Sequence, residues 1–243
     1  MKTFDIEGVI VSNDDVWIYD WYDMTNTSPQ KVKNFLDEAN GEDVIININS
    51  GGGDFYAGVN IHDTIKAYPG NVELRVVGLA ASAASIIAMA SKCLISPASN
   101  IMIHNVACTD YSNKNGKRKC ADDMAVTDNG LAFLYSQKTG LPEDEISRMM
   151  DEETFLDAKT ALEKGFVDGI LGNEIVDTPK FNNSLAMVHL LPNEVLDKTR
   201  QLIVNDMKQR NQNNKNNANK PVGTSVESLY KRLNLLSDMH PKS

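Results

Sequence analysis

Apolar residues in the first 174 positions fall into short β-branched runs separated by stretches with helical spacing. Val44-Ile45-Ile46-Asn47-Ile48 reads as a buried strand, and it ends in Asn49-Ser50-Gly51-Gly52-Gly53, a break that no regular element survives. Asp54 is placed to cap a helix reaching about Tyr68, with Ile61 and Ile65 on one face and Pro69-Gly70 as its stop. Val72–Val77 is the next strand, punctuated by Gly78, and Ser82–Ser91 is small and helical. Cys93–Ile95 and Ile101–Ile103 read as strands on either side of Pro97-Ala98-Ser99-Asn100. A longer helix is predicted over about 119–137, ended by Gly140, and Asp157–Gly165 has an N-cap, a helical body and a terminal glycine. Strands alternating with helices predict an α/β fold with a largely parallel sheet and right-handed crossovers.

The pattern changes near residue 174. Residues 175–210 read as a helical extension. In 211–224 comes a polar linker in which six of the nine residues from Asn211 to Asn219 are asparagine. Such a run buries too little apolar area to offset its ordering entropy and is expected to be flexible. In 225–243, Val226, Leu229, Leu233 and Leu236 recur at helical spacing, giving a short amphipathic helix. It has two open readings: docking on a partner groove, or packing on its own domain. The principal domain is 1–174.

Composition narrows the classes. Hydrophobic residues are 42% and charged residues 23%, the balance of a globular chain. No apolar run reaches the ~18 residues of a membrane helix. The first residues carry acids where a secretory signal has its apolar stretch, so neither membrane insertion nor secretion is expected. The net charge of −9 is uneven: residues 1–174 hold 14 basic and 27 acidic side chains, and the remainder holds 10 and 6. An acidic body argues against nucleic-acid binding. Three cysteines without a C-x-x-C pair, and four scattered histidines, argue against a disulfide framework and against a zinc site. Together these fit a cytoplasmic protein without metal.

Three stretches carry chemistry. In Gly78-Leu79-Ala80-Ala81-Ser82-Ala83-Ala84-Ser85 a strand leads into a turn of small residues, and a helix starts at Ser82. A helix N-terminus offers free N–H groups and partial positive charge to developing negative charge. A serine there can also be a plain cap. Gly51-Gly52-Gly53 leaves unshielded N–H groups that can form an anion nest. No Gly-Lys-Ser/Thr follows, and the last glycine of a dinucleotide fingerprint is missing, so neither nucleotide loop fits. His104 closes the strand after Ser82 by 22 positions, a separation that lets paired strands return an imidazole to the serine.

Gly51-Gly52-Gly53, Ala80-Ala81-Ser82, Pro97–His104, Phe155-Leu156-Asp157-Ala158 and Gly165-Phe166-Val167-Asp168 occur in one order. That order and spacing resemble the Clp (caseinolytic) serine protease family, P subunit, over roughly Phe4–Leu171. The resemblance is nearer to the Clp-like proteases of phage head-gene clusters, which mature capsids. It implies the spiral of βαβ units that the family shares with the crotonases. It implies Ser82 as nucleophile, His104 as general base, and the N–H groups of Gly53 and Ala83 as the oxyanion hole. The family's acid is an aspartate two residues before the phenylalanine of the Phe-Leu motif. Here that position is Glu153, one methylene longer, with Asp151 and Glu152 as neighbours able to take its place and Asp168 expected to be structural. No cofactor is implied.

The resemblance further implies an extended substrate pairing near 51–56 and 104–110, and a homo-oligomeric ring, heptameric or of stacked heptamers, with the 119–137 helix as contact. Phe4-Asp5-Ile6 stands almost at the first residue, so the expectation is action without a docked Clp ATPase, on accessible segments of capsid or scaffold precursors. Rival readings are an ATPase-dependent housekeeping subunit, a crotonase-like enzyme, and an inactive scaffold protein working through its tail.

Overall fold

The computed structural model describes residues 1–107, 113–172 and 190–216. Met1–Pro192 forms one compact unit and Asn193–Ser243 a second.

The first unit opens with β1 (Lys2–Glu7), β2 (Val9–Ile10), α1 (Val16–Trp21) and β3 (Asn26–Thr27), followed by α2 (Pro29–Ala39) and β4 (Val44–Ser50). Ser28 caps α2 by accepting the Lys31 N–H, with proline at the first helical position, where its missing N–H costs nothing. After the glycine turn come α3 (Phe55–Lys66), β5 (Val72–Ala81), α4 (Ala83–Ala88), β6 (Lys92–Ile95) and β7 (Asn100–Ile103). Asp54 caps α3, its carboxylate accepting the Ala57 N–H at 2.7 Å. The long α5 (Lys114–Thr139), α6 (Glu143–Asp151), β8 (Thr154–Asp157), α7 (Ala158–Glu163) and β9 (Gly169–Ile170) complete the unit.

Strands β1, β4, β5, β6 and β9 pair in that order, all parallel, and β7 joins the end of β5 in parallel. Among the described strands, only β8 runs antiparallel, against β7. Ile46, Ile48, Leu74, Val76, Ile61, Ile86 and Ile87 are buried between the sheet and its helices. This is the mostly parallel α/β arrangement that the alternation of runs predicts.

Gly78 does not end β5. Ile48 faces Val76 while Ser50 faces Ala80, so β5 bulges and then continues to Ala81. A Cβ on Gly78 would lie 2.2 Å from Asn49 Oδ1, and that oxygen accepts the Leu79 N–H at 3.1 Å. The glycine makes room for an inserted asparagine, which replaces the lost ladder bond. Cys93 is a buried free thiol, its pKa pushed up to about 12 chiefly by burial.

In the second unit, α8 (Asn193–Asn216) runs into the asparagine-rich stretch, so residues 211–216 are helical where a flexible linker was expected. Extending an existing helix adds one hydrogen bond per residue fixed and needs no new nucleus. Residues 175–189 of the expected extension, 217–224 of the linker and the terminal helix at 225–243 lie outside the described residues.

Candidate active site

Parallel pairing explains how residues 22 positions apart meet. Ala81 faces Met102 in the β5–β7 ladder, and the Ser82 N–H continues it by donating to Met102 O at 3.0 Å. Ser82 and His104 therefore leave the sheet together, at the carboxyl edge where β4 also delivers Gly51–Gly53. Open α/β sheets place their sites at this edge. His104 Nε2 lies 2.7 Å from Ser82 Oγ.

The Ser82 backbone has φ 54° and ψ −125°, a strained conformation for an L-residue, and it begins α4. Such strain persists only where surrounding packing over-determines it. Gly52 supplies part of that packing. Its φ is +98°, and an added Cβ would sit 2.7 Å from both Ala81 O and Ser82 Cβ, and 3.0 Å from Ala83 N. Gly58 of α3 is pressed as closely on Ala83, whose Cβ would be 2.9 Å from a Cβ there. The run of small residues thus serves close backbone contact on both sides of the serine.

Gly53 is held from the other side. Ile10 N–H donates to Gly52 O at 2.9 Å, and Asp54 N–H donates to Ile10 O at 2.8 Å. In a bridge the intervening residue turns its own N–H and C=O the opposite way, so those of Gly53 face away from Ile10. Gly53 and Ala83 both line the cavity that contains Ser82 and His104. Its volume is about 860 Å³, with Ile86, Met102 and Leu131 among its apolar walls. Neither amide donates to another group among the described residues.

The acidic stretch is arranged differently. The β7–β8 register ends at Ile103 opposite Thr154, which puts Glu153 next in line opposite His104. Glu153 nevertheless occupies an exposed turn with φ 49°, and among the described residues its carboxylate hydrogen-bonds to neither His104 nor any other group. Asp151 accepts Asn105 Nδ2 at 2.8 Å, and Glu152 is exposed at the end of α6. Asp168 is remote in role: it accepts the Cys93 N–H and Lys138 Nζ, both at 2.7 Å, tying the approach to β9 onto β6 and α5. Burial would raise its carboxyl, but these two bonds hold it below the ordinary range.

Among the described residues, no cluster of three histidine, cysteine or acidic side chains could hold a metal ion, and no helix is long and apolar enough to cross a membrane. On the expected substrate edge, the Val106 N–H is taken by Asp128 Oδ1 at 2.7 Å. Residues 108–112 lie outside the described residues. Gly52, Ile10 and the Asn49–Gly78 insertion were missed by sequence reasoning. Only Gly52 had a signal, the triple glycine, because the other contacts join distant segments.

Comparison with known proteins agrees with this architecture. The family model for Clp protease matches residues 5–174. The ATP-dependent Clp protease proteolytic subunit of Deinococcus radiodurans is 31% identical over 140 residues, covering 56% of this chain and 69% of that protein. The subunit of the same name from Ligilactobacillus salivarius is 31% identical over 144 residues, covering 58% and 73%. A solved structure, a mutant of ClpP1 from Listeria monocytogenes, superposes with a TM-score of 0.59 at 25% identity, over 71% of this chain and 92% of that one. The chain belongs to the Clp protease family.

Proposed function

We propose that Ser82, His104 and Glu153 form the catalytic triad of a serine endopeptidase, with the Gly53 and Ala83 amides as its oxyanion hole. The observation that carries this reading is the 2.7 Å contact between His104 Nε2 and a strained Ser82, both lining one cavity. His104 takes the hydroxyl proton as Oγ attacks a peptide carbonyl. The oxyanion that forms receives the two amides, each worth ~10²–10³ in turnover in comparable sites. His104 then gives its proton to the leaving amine, and water, deprotonated by the same imidazole, releases the acyl group. Glu153 orients the imidazole once its side chain turns in from solvent; its place opposite His104 in the β7–β8 register supports that role.

The finer reading is an ATP-independent protease, assembled as a homo-oligomeric ring in the cytoplasm, that trims capsid or scaffold precursors. It rests on the sequence likeness to phage head-cluster proteases. The relatives named above are called ATP-dependent, which favours a second reading in which an ATPase feeds unfolded substrate to this chain.

A fluorophosphonate probe should label Ser82, and the Ser82→Ala variant should not react. Incubating wild type with a capsid precursor should give fragments by intact mass without ATP, and none with Ser82→Ala. Fragments that need an added Clp ATPase and ATP would favour the second reading. Fragments that persist in Ser82→Ala would end the triad assignment.

A further inference from the structure

We infer that Tyr135 and Ser85 are positioning residues that aim the Ala83 N–H at the oxyanion, an inference that rests on the peptidase reading above. Ser85 Oγ donates to the Ser82 carbonyl oxygen at 2.6 Å, and Tyr135 Oη lies 2.7 Å from the same Oγ. A carbonyl cannot donate, so the single Ser85 hydroxyl proton is committed to it. Tyr135 must therefore be the donor in the second bond. The direction of the chain is fixed: Tyr135 to Ser85 to the Ser82 carbonyl.

That carbonyl shares a peptide plane with the Ala83 N–H. In a planar trans peptide the two point in opposite directions, so holding the Ser82 oxygen inward turns the Ala83 amide outward. The Ser85 and Ile86 backbone amides also donate to the Ser82 oxygen, at 2.9 and 3.4 Å, but both belong to α4 and move with it. Tyr135 comes from α5, outside that turn. It supplies an external reference for a peptide whose preceding dihedrals are strained.

The pair is built to stay fixed. Ser85 is 0% exposed and Tyr135 is 1% exposed. The Tyr135 ring packs on Phe166 with centroids 5.9 Å apart. Burial drives the phenol pKa up, so it stays a proton donor throughout the working pH range. No step of the proposed chemistry consumes either hydroxyl.

The test measures inactivation of the full chain by a fluorophosphonate, separating kinact from KI, in wild type, Tyr135→Phe, Ser85→Ala and the double variant. Tyr135→Phe keeps the ring and removes one hydroxyl. Its kinact should fall about tenfold with KI unchanged, because a misaimed donor acts on the transition state and not on probe binding. Ser85→Ala should lose at least as much. In that background Tyr135→Phe should cost nothing further, since Tyr135 acts through Ser85. Phe166→Leu loosens the same ring but keeps both hydroxyls, so it should lower Tm and cost less in kinact than Tyr135→Phe.

Wild-type kinact in Tyr135→Phe, or independent losses that add in the double variant, would overturn the inference and leave the peptidase reading intact. Failure of wild type to label at Ser82 would overturn both.

Discussion

The two halves of the candidate triad are held in opposite ways. Ser82 and His104 sit where three parallel strand ends converge, and the serine turn is wedged against glycine backbone with no space for a Cβ. Glu153 sits on an exposed turn, free of side-chain bonds among the described residues, while its neighbour Asp151 is engaged by Asn105. Backbone packing fixes Ser82 and His104, the proposed nucleophile and base. The Glu153 carboxylate proposed as the acid stands exposed at the surface. The strained, costly part of the site is thus built into the core, and the adjustable part is left to side-chain rotation.

Gly52→Ala attacks the rigid half directly. A methyl group there meets Ala81 O and Ser82 Cβ at 2.7 Å, on a backbone at φ +98°. Strain and overpacking together should cost about 3 kcal/mol of stability. Displacing the serine turn should reduce fluorophosphonate labelling about 10²-fold. Urea unfolding and labelling kinetics on one preparation check both. Labelling at the wild-type rate would mean that the turn is not held by this glycine.

A smaller effect tests the looser half. Glu153→Gln should lower peptide turnover about tenfold, because a neutral amide cannot stabilise the imidazolium. Asp151→Asn should stay within about twofold of wild type. The opposite ranking would move the acid to Asp151 and imply that its bond to Asn105 opens in catalysis.

A still weaker effect lies outside both halves. Asp168 has its folded pKa below the ordinary carboxylate value, since the Lys138 and Cys93 bonds outweigh burial. A depressed carboxylate contributes stability above its unfolded pKa and loses it as pH falls through the folded one. Asp168→Asn should therefore cost about 1 kcal/mol near pH 7, a figure kept small because the carboxylate is partly exposed. The difference from wild type should shrink below about pH 4, in urea midpoints measured across that range. A difference constant with pH would assign the loss to packing instead.

Much of this molecule was legible from local pattern. The Val44–Ile48 part of β4, which the structure carries two residues further to Ser50, the helix capped by Asp54 and the α7 cap at Asp157 follow from β-branched runs, cap residues and stops, which act within a few positions. Ser82 and His104 stood out because small residues, a helix start and a strand-ending imidazole are each local signals. Gly78 misled, because a glycine in a strand looks the same whether it ends the strand or admits Asn49 from the next one. Ser85 and Tyr135 left no mark, since a hydroxyl 50 positions from its partner looks like any other polar residue.

Caps, periodicity and turn residues act over short range, so the chain's own order of residues was enough to set where strands and helices form and which side chains could do chemistry. Folding in three dimensions added the rest: a strained serine backbone, a Gly53 amide turned away from Ile10, and a Glu153 carboxylate left exposed. Those outcomes depend on contacts between segments far apart in the chain, and close packing fixes them all at once.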